Sequence, residues 1–242
     1  MDDKDYFYFK NFKLRNRDTA LKINTDGVLL AVWANTSNAQ KVLDVGTGGG
    51  VIAFIHAYKN PDSSITGIDI CNESIREANY NKGINTEIAT KLHFKVESLQ
   101  EFTAYGGRQY DHIVSNPPFY DAAAHQTLTI TPKQKAKHTF DLTFQELLDC
   151  SYKLINKKGK LSVIIDYRNE EELRAVIRSK GFYLNRILRV SGKPSHSYNR
   201  LLLELGKIDS GSIEEQSLSI RNDDGSYSDE YRLLTKDWYL NF

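Results

Sequence analysis

Lys41-Val42-Leu43-Asp44-Val45-Gly46-Thr47-Gly48-Gly49-Gly50 runs from an apolar strand into a cluster of glycines, and Gly50–Lys59 behind it reads as a helix. A strand that turns through glycines into a helix lets the backbone pass close to a ligand, because no Cβ stands in the way. The spacing discriminates between ligands. A dinucleotide loop needs G-x-G-x-x-G, but the position three beyond Gly48 is Val51, so Gly46, Gly48 and Gly50 give G-x-G-x-G instead.

Working outward, Ile65–Ile70, Lys91–Val96, Tyr110–Ser115 and Lys160–Asp166 read as further strands, with helices over Asn72–Lys82 and Leu142–Asn156. That alternation predicts right-handed βαβ crossovers and a Rossmann-like α/β fold with helices on both faces of a mostly parallel twisted sheet. Gly159 and Gly181, each preceded by lysine, read as helix C-terminal signals. After a helix at Asn169–Lys180, the runs Tyr183–Val190 and Arg200–Gly206 are joined only by a loop, which predicts antiparallel pairing and one reversed strand at the sheet edge. The 242 residues fit a single domain: an aromatic and basic cap over 1–40, the core over 41–207 and an elaboration over 208–242. In the cap we expect strands or a hairpin and a helix near Gly27–Ala34. In the elaboration we expect a strand near Gln216–Arg221 and a helix from Ser228.

With 32 basic and 31 acidic side chains the net charge is +1, so no global field announces a nucleic-acid partner and any such contact must come from local clusters. Cys71 and Cys150 form no C-x-x-C pair, the opening Met1-Asp2-Asp3-Lys4 is no signal segment, and no metal-ligand spacing of Cys or His appears. No apolar run reaches the roughly 18 residues of a membrane span. The expectation is a cytoplasmic protein with neither membrane nor metal.

Asn116-Pro117-Pro118-Phe119 follows the strand Tyr110–Ser115, at the carboxyl end where open α/β sheets place their ligands. One reading is a turn that ends a buried strand. The other is chemical. A planar amino nitrogen shares its lone pair with its π system, and two acceptors, the Asn116 side-chain oxygen and the Pro117 carbonyl, can counter that delocalisation as the nitrogen attacks. Successive prolines hold these acceptors in extended backbone beforehand, and Phe119 can stack on the ring. Asp69, at the end of the next strand after the glycine loop, suits either ribose hydroxyls or a helix cap. Three clusters are basic: Asp121–Thr139 with Lys133, Lys135, Lys137 and His138, the acid-free stretch Phe182–Leu203 with Lys193 and Arg200, and the amino-terminal Lys10, Lys13, Arg15 and Arg17. Each is either a solvated face or an RNA contact.

The G-x-G-x-G loop resembles that of S-adenosylmethionine-dependent methyltransferases. With Asn24–Trp33, Asn116–Phe119 and Lys135-Ala136-Lys137-His138-Thr139, the chain resembles the bacterial tRNA (adenine-N6) methyltransferases that modify adenosine 37 of a valine tRNA. The resemblance implies a class I methyltransferase that holds S-adenosylmethionine with Asp44, Gly46, Gly48, Gly50 and Asp69, and has Thr25 and Asp26 closing over it. Ser98 stands where such enzymes place an acid against the adenine. It further implies an anticodon stem-loop as partner. Asn-Pro-Pro-Phe also serves enzymes that methylate guanine N2 or the glutamine side-chain amide, so these planar nitrogens stay as alternatives, beside a binding module without chemistry.

Overall fold

The structure, a computed structural model, describes residues 3–17, 22–107, 109–117, 142–167 and 170–241. Strands β1 (Tyr6–Tyr8) and β2 (Lys13–Arg15) form an antiparallel hairpin, followed by α1 (Thr25–Trp33). Then β3 (Lys41–Val45), α2 (Val51–Lys59), β4 (Ser64–Asp69), α3 (Asn72–Ile84), β5 (Leu92–Val96), α4 (Leu99–Ala104) and β6 (Tyr110–Ser115) alternate as the glycine loop and the apolar runs require. The second half comprises α5 (Phe144–Leu154), β7 (Ile155–Asp166), α6 (Glu170–Ser179), β8 (Tyr183–Ser191), β9 (Tyr198–Gly206), β10 (Glu214–Ser219) and α7 (Asp229–Thr235).

One sheet carries eight of these strands in the order β10-β8-β9-β7-β6-β3-β4-β5. It is mostly parallel, as expected, with β9 the one reversed strand. The reversed strand is not at the edge, however. It lies between β7 and β8, because β10 from the carboxyl-terminal segment pairs parallel with β8 and takes the edge itself. Two apolar layers cover the faces: α1 and α2 pack with Phe9, Phe12 and Trp238 on one, while α4, α5 and α6 bury Phe102, Leu147, Leu148 and Ile177 on the other.

Helix α1 is apolar all round, with Gly27 through Trp33 buried, because it is covered by the sheet on one side and by the carboxyl-terminal segment on the other. Its last carbonyls need donors, which Lys59 provides: Nζ donates to Ala31, Val32 and Ala34 O at 2.7–3.1 Å. Burial brings this lysine down to about 8.

Gly159 corrects a sequence expectation. Helix α5 ends at Leu154, and the chain enters β7 at Ile155 rather than at Lys160, so Gly159 lies inside a strand and closes no helix. The register of β6 against β7 shifts between Tyr110 and His112. There a Cβ on residue 159 would stand 2.8 Å from Tyr110 O and 2.5 Å from the Ile155 side chain, so only glycine admits the neighbouring strand. Gly159→Ala should cost about 1–3 kcal/mol of stability by urea unfolding. An unchanged midpoint would show that β6 has room to retreat.

Candidate active site

Strand β3 has β6 on one side and β4 on the other, so successive crossovers leave it in opposite directions and open a crevice at its carboxyl end. The glycine loop fills that position. Gly46 and Gly48 have φ of +71° and +56°, and a Cβ on either would project into open space, while at Gly50 (φ +95°) it would press on the Phe54 and Phe94 rings at 3.0–3.2 Å. The amides of Gly46 and Thr47 donate to Ile68 O at 2.9 and 3.0 Å.

Asp69 joins the two strand-end loops. Its Oδ2 accepts from Gly48 N at 2.9 Å and its Oδ1 from Cys71 N at 2.8 Å, so it does part of the capping work its position allowed. A carboxylate has about four acceptor sites, so acceptor capacity remains, and burial raises the carboxyl above its ordinary value against the pull of the Cys71, Gly48 and Ile70 amides. Asp44 lies wholly buried beneath the loop. Its Oδ2 accepts from Thr47 Oγ1 at 2.6 Å, its Oδ1 takes no hydrogen bond from the described residues, and burial pushes its carboxyl up to about 7 against the opposing pull of Thr47.

The crevice continues as a cleft lined by Arg15, Asn24, Gly27, Gly46, Gly48 and Asn116. Asn24 caps α1 by accepting from Gly27 N at 2.9 Å. The first turn of α1 comes close to Asn116, whose Nδ2 is 3.7 Å from where a Cβ on Gly27 would stand. The half-buried Asn116 and buried Pro117 thus stand across the cleft from the glycine loop.

Sequence reasoning missed the brace behind this cleft. Glu77 and Asn81, four apart on α3 and fully buried, are a polar pair on the inner face of a helix, which is the signal that marks them. Asn81 Nδ2 donates to Gly49 O and Arg15 O, and its Oδ1 accepts from Arg15 N at 2.7 Å. Glu77 accepts from Arg15 Nε at 3.0 Å and from Arg17 N at 2.9 Å, and Arg15 also stacks over Tyr80 at 3.7 Å. The hairpin is thereby fastened to the loop.

Several expected residues take other partners. Ser98 caps α4: its hydroxyl donates to Glu101 Oε2 at 2.7 Å and accepts from Glu101 N, a local capping box. Asp26 does not line the cleft. It accepts from Arg200 Nε at 2.8 Å, and Arg200 Nη1 lies 2.7 Å from Asp166, so two carboxylates hold the guanidinium that was expected to meet RNA. Thr25 is exposed and outside the cleft lining. Lys193 Nζ donates to Asp223 O at 3.1 Å on the surface. Pro118, Phe119, Lys133, Lys135, Lys137 and His138 lie outside the described residues. Among the described residues, no helix is long and apolar enough to cross a membrane, and no three His, Cys, Asp or Glu side chains cluster as metal ligands.

Residues 22–179 match the methyltransferase small domain family. The chain is 32% identical over 237 residues to a tRNA1(Val) (adenine(37)-N6)-methyltransferase of Yersinia enterocolitica, covering 98% of this chain and 93% of that relative. It is 31% identical to the enzyme of that name from Yersinia pestis, with 98% and 94% covered. Among solved structures, a predicted O-methyltransferase of Agrobacterium tumefaciens aligns with a TM-score of 0.67 at 15% identity, over 88% of this chain and 96% of that one. A SAM-dependent methyltransferase of the same organism aligns at 0.55 and 14% identity, over 84% and 70%. These two likenesses speak for the fold.

Glu77→Ala removes the carboxylate that holds Arg15 and the Arg17 amide, and should cost about 3 kcal/mol in urea unfolding. A loss under about 1 kcal/mol would mean the hairpin is fastened elsewhere. Asp44 sets a pH dependence. Its folded pKa lies above its unfolded one, so the native state binds the extra proton, and stability falls as pH rises from the ordinary carboxylate range to about 7. The ligand-free protein should show that decline and Asp44→Asn should flatten it; parallel profiles would place the titration on another group.

Proposed function

We infer function from the family to which this chain belongs, the methyltransferase small domain family and, within it, the tRNA1(Val) (adenine(37)-N6)-methyltransferases. The protein is a tRNA-methylating enzyme that transfers a methyl group from S-adenosylmethionine to N6 of adenosine 37 in a valine tRNA. Its partner in this reading is the anticodon stem-loop, and its place of work the cytoplasm. What supports the reading at the level of residues is that Gly46, Thr47, Gly48 and Gly49 of the glycine loop line one cleft with Asn116.

The cleft fits the cofactor. Open space stands above Gly46 and Gly48 where side chains would intrude, and the partly exposed carboxylate of Asp69 lies at the end of the adjacent strand, with the buried Asp44 beneath the loop. Asp69 would accept from ribose hydroxyls, and the glycine amides would border the rest of the ligand. When bound, S-adenosylmethionine supplies a methyl group activated by its sulfonium.

The chain's own residues handle the acceptor. The Asn116 oxygen and the Pro117 carbonyl accept the two N–H groups of the adenine amine, which directs the nitrogen lone pair out of conjugation. Pro117 cannot rotate about φ and restricts Asn116 as well, so the two acceptors are positioned before the base arrives. The first turn of α1, at Gly27, limits how far the Asn116 side chain can swing. A stacked base cannot present its amine to this cleft, so the adenine must leave the loop stack to react.

Purified protein should methylate an unmodified valine tRNA transcript, producing N6-methyladenosine 3′ to the anticodon, and a transcript with guanosine at that position should accept nothing. Transfer to a glutamine-bearing protein, with none to the transcript, would replace the tRNA reading. Asn116→Ala should lower kcat at least about a hundredfold while cofactor affinity by calorimetry stays unchanged. Near-normal turnover would reduce Asn116 to a turn residue.

A further inference from the structure

Strand β7 runs on past the end of β6. The last β6 residue, Ser115, pairs with Val163, yet β7 continues to Asp166, and Tyr167 N still donates to Asn199 O beside β9 at 3.0 Å. At the rise of an extended chain this carries Tyr167 about 10 Å beyond the level of Asn116, on the neighbouring strand and at the same end of the sheet. Tyr198, which opens β9, stands next to it: the ring centroids are 5.9 Å apart and the planes 39° from parallel. The two rings touch without lying flat on one another, and Tyr167 is 44% and Tyr198 39% exposed. Among the described residues, neither ring has a further aromatic or cationic partner. The strand ends that carry them are pinned, because Arg200 Nη1 lies 2.7 Å from Asp166 and Arg200 Nε donates to Asp26.

Tyrosines on neighbouring strands can serve the sheet alone, as a cross-strand pair. A pair that only packs buries its faces, whereas this one leaves them in solvent at the rim beside Asn116. Arg200 next to it is committed to two carboxylates, so the rim offers an occupant flat ring surface rather than charge. Extruding a target adenine deprives the adjoining loop bases of a stacking partner, and unpaired bases are held by stacking on aromatic side chains. We propose that Tyr167 and Tyr198 form a platform on which an unpaired nucleobase next to the target adenine stacks, so that the opened RNA loop is held over Asn116. The proposal rests on the tRNA-methylating reading above.

The test uses the full chain and an anticodon stem-loop RNA in which a fluorescent aminopurine replaces one loop base at a time, the target excepted. Binding to the wild type should quench a position adjoining the target, and Tyr167→Ala combined with Tyr198→Ala should abolish that quenching. In methyl-transfer assays the double alanine variant should raise the KM for unmodified tRNA roughly tenfold with cofactor affinity retained, whereas Tyr167→Phe with Tyr198→Phe, which keeps both rings, should stay within about twofold of wild type. Tyr198→Ala alone repeats the measurement if the double variant melts early, and should raise the same KM. A pair that only packs would lower the urea midpoint of the alanine variants and leave KM unchanged. That result, or a wild type that methylates the tRNA while quenching no loop position, overturns the platform and leaves the tRNA reading intact. A wild type that neither binds nor methylates the RNA overturns both.

Discussion

The Asp69 carboxylate is the point on which the site's geometry depends. It accepts from Gly48 N in the loop after β3 and from Cys71 N in the loop after β4, so one side chain fixes two strand-end loops relative to each other. A loop of glycines has no side chains with which to hold itself, and glycine loses more conformational freedom on folding than any other residue. Backbone donation to Ile68 O, the Asp69 carboxylate and the Asn81 amide together offset it. The same carboxylate remains able to accept more, which is what a ligand-binding brace requires.

Around that point the structure is fastened from three directions. Helix α3 sends Glu77 and Asn81 inward to fasten the amino-terminal hairpin, and Lys59 at the end of α2 satisfies the last carbonyls of α1. Arg200, on the reversed strand β9, ties the first turn of α1 to the end of β7 through Asp26 and Asp166. The reversed strand therefore contributes more than a sheet neighbour. By running against β7 it places its first residues, rather than its last, beside the cleft, which is how Arg200 reaches α1. The pair is only partly screened from solvent, so its role is to orient the helix rather than to supply much stability.

The arrangement follows from the fold. The glycine loop, Asp44 and Asp69 come from the first two βα units, while Asn116 and Pro117 follow β6, the neighbour of β3 on the other side. The glycine loop and Asp69 are thus held at the ends of adjacent strands. The two ends of the chain meet through Phe9 and Tyr239.

The parallel strands and the glycine loop were legible in the sequence because each is local: hydrophobic period and glycine spacing restrict the backbone within a few residues. Gly159 misled because lysine followed by glycine also occurs where two strands crowd, and only the β6 register reveals that crowding. At Ser98 the sequence did not reveal the capping role, which depends on Glu101 lying in range to complete the capping box. The amino-acid sequence by itself determined the fold class and the place of the glycine loop between β3 and α2. The tertiary structure alone decided that β10 takes the sheet edge and that Asp26 and Arg200 belong to each other. Those are pairings between remote segments, and no local pattern encodes which distant partner a charge or a ring will meet once the chain closes on itself.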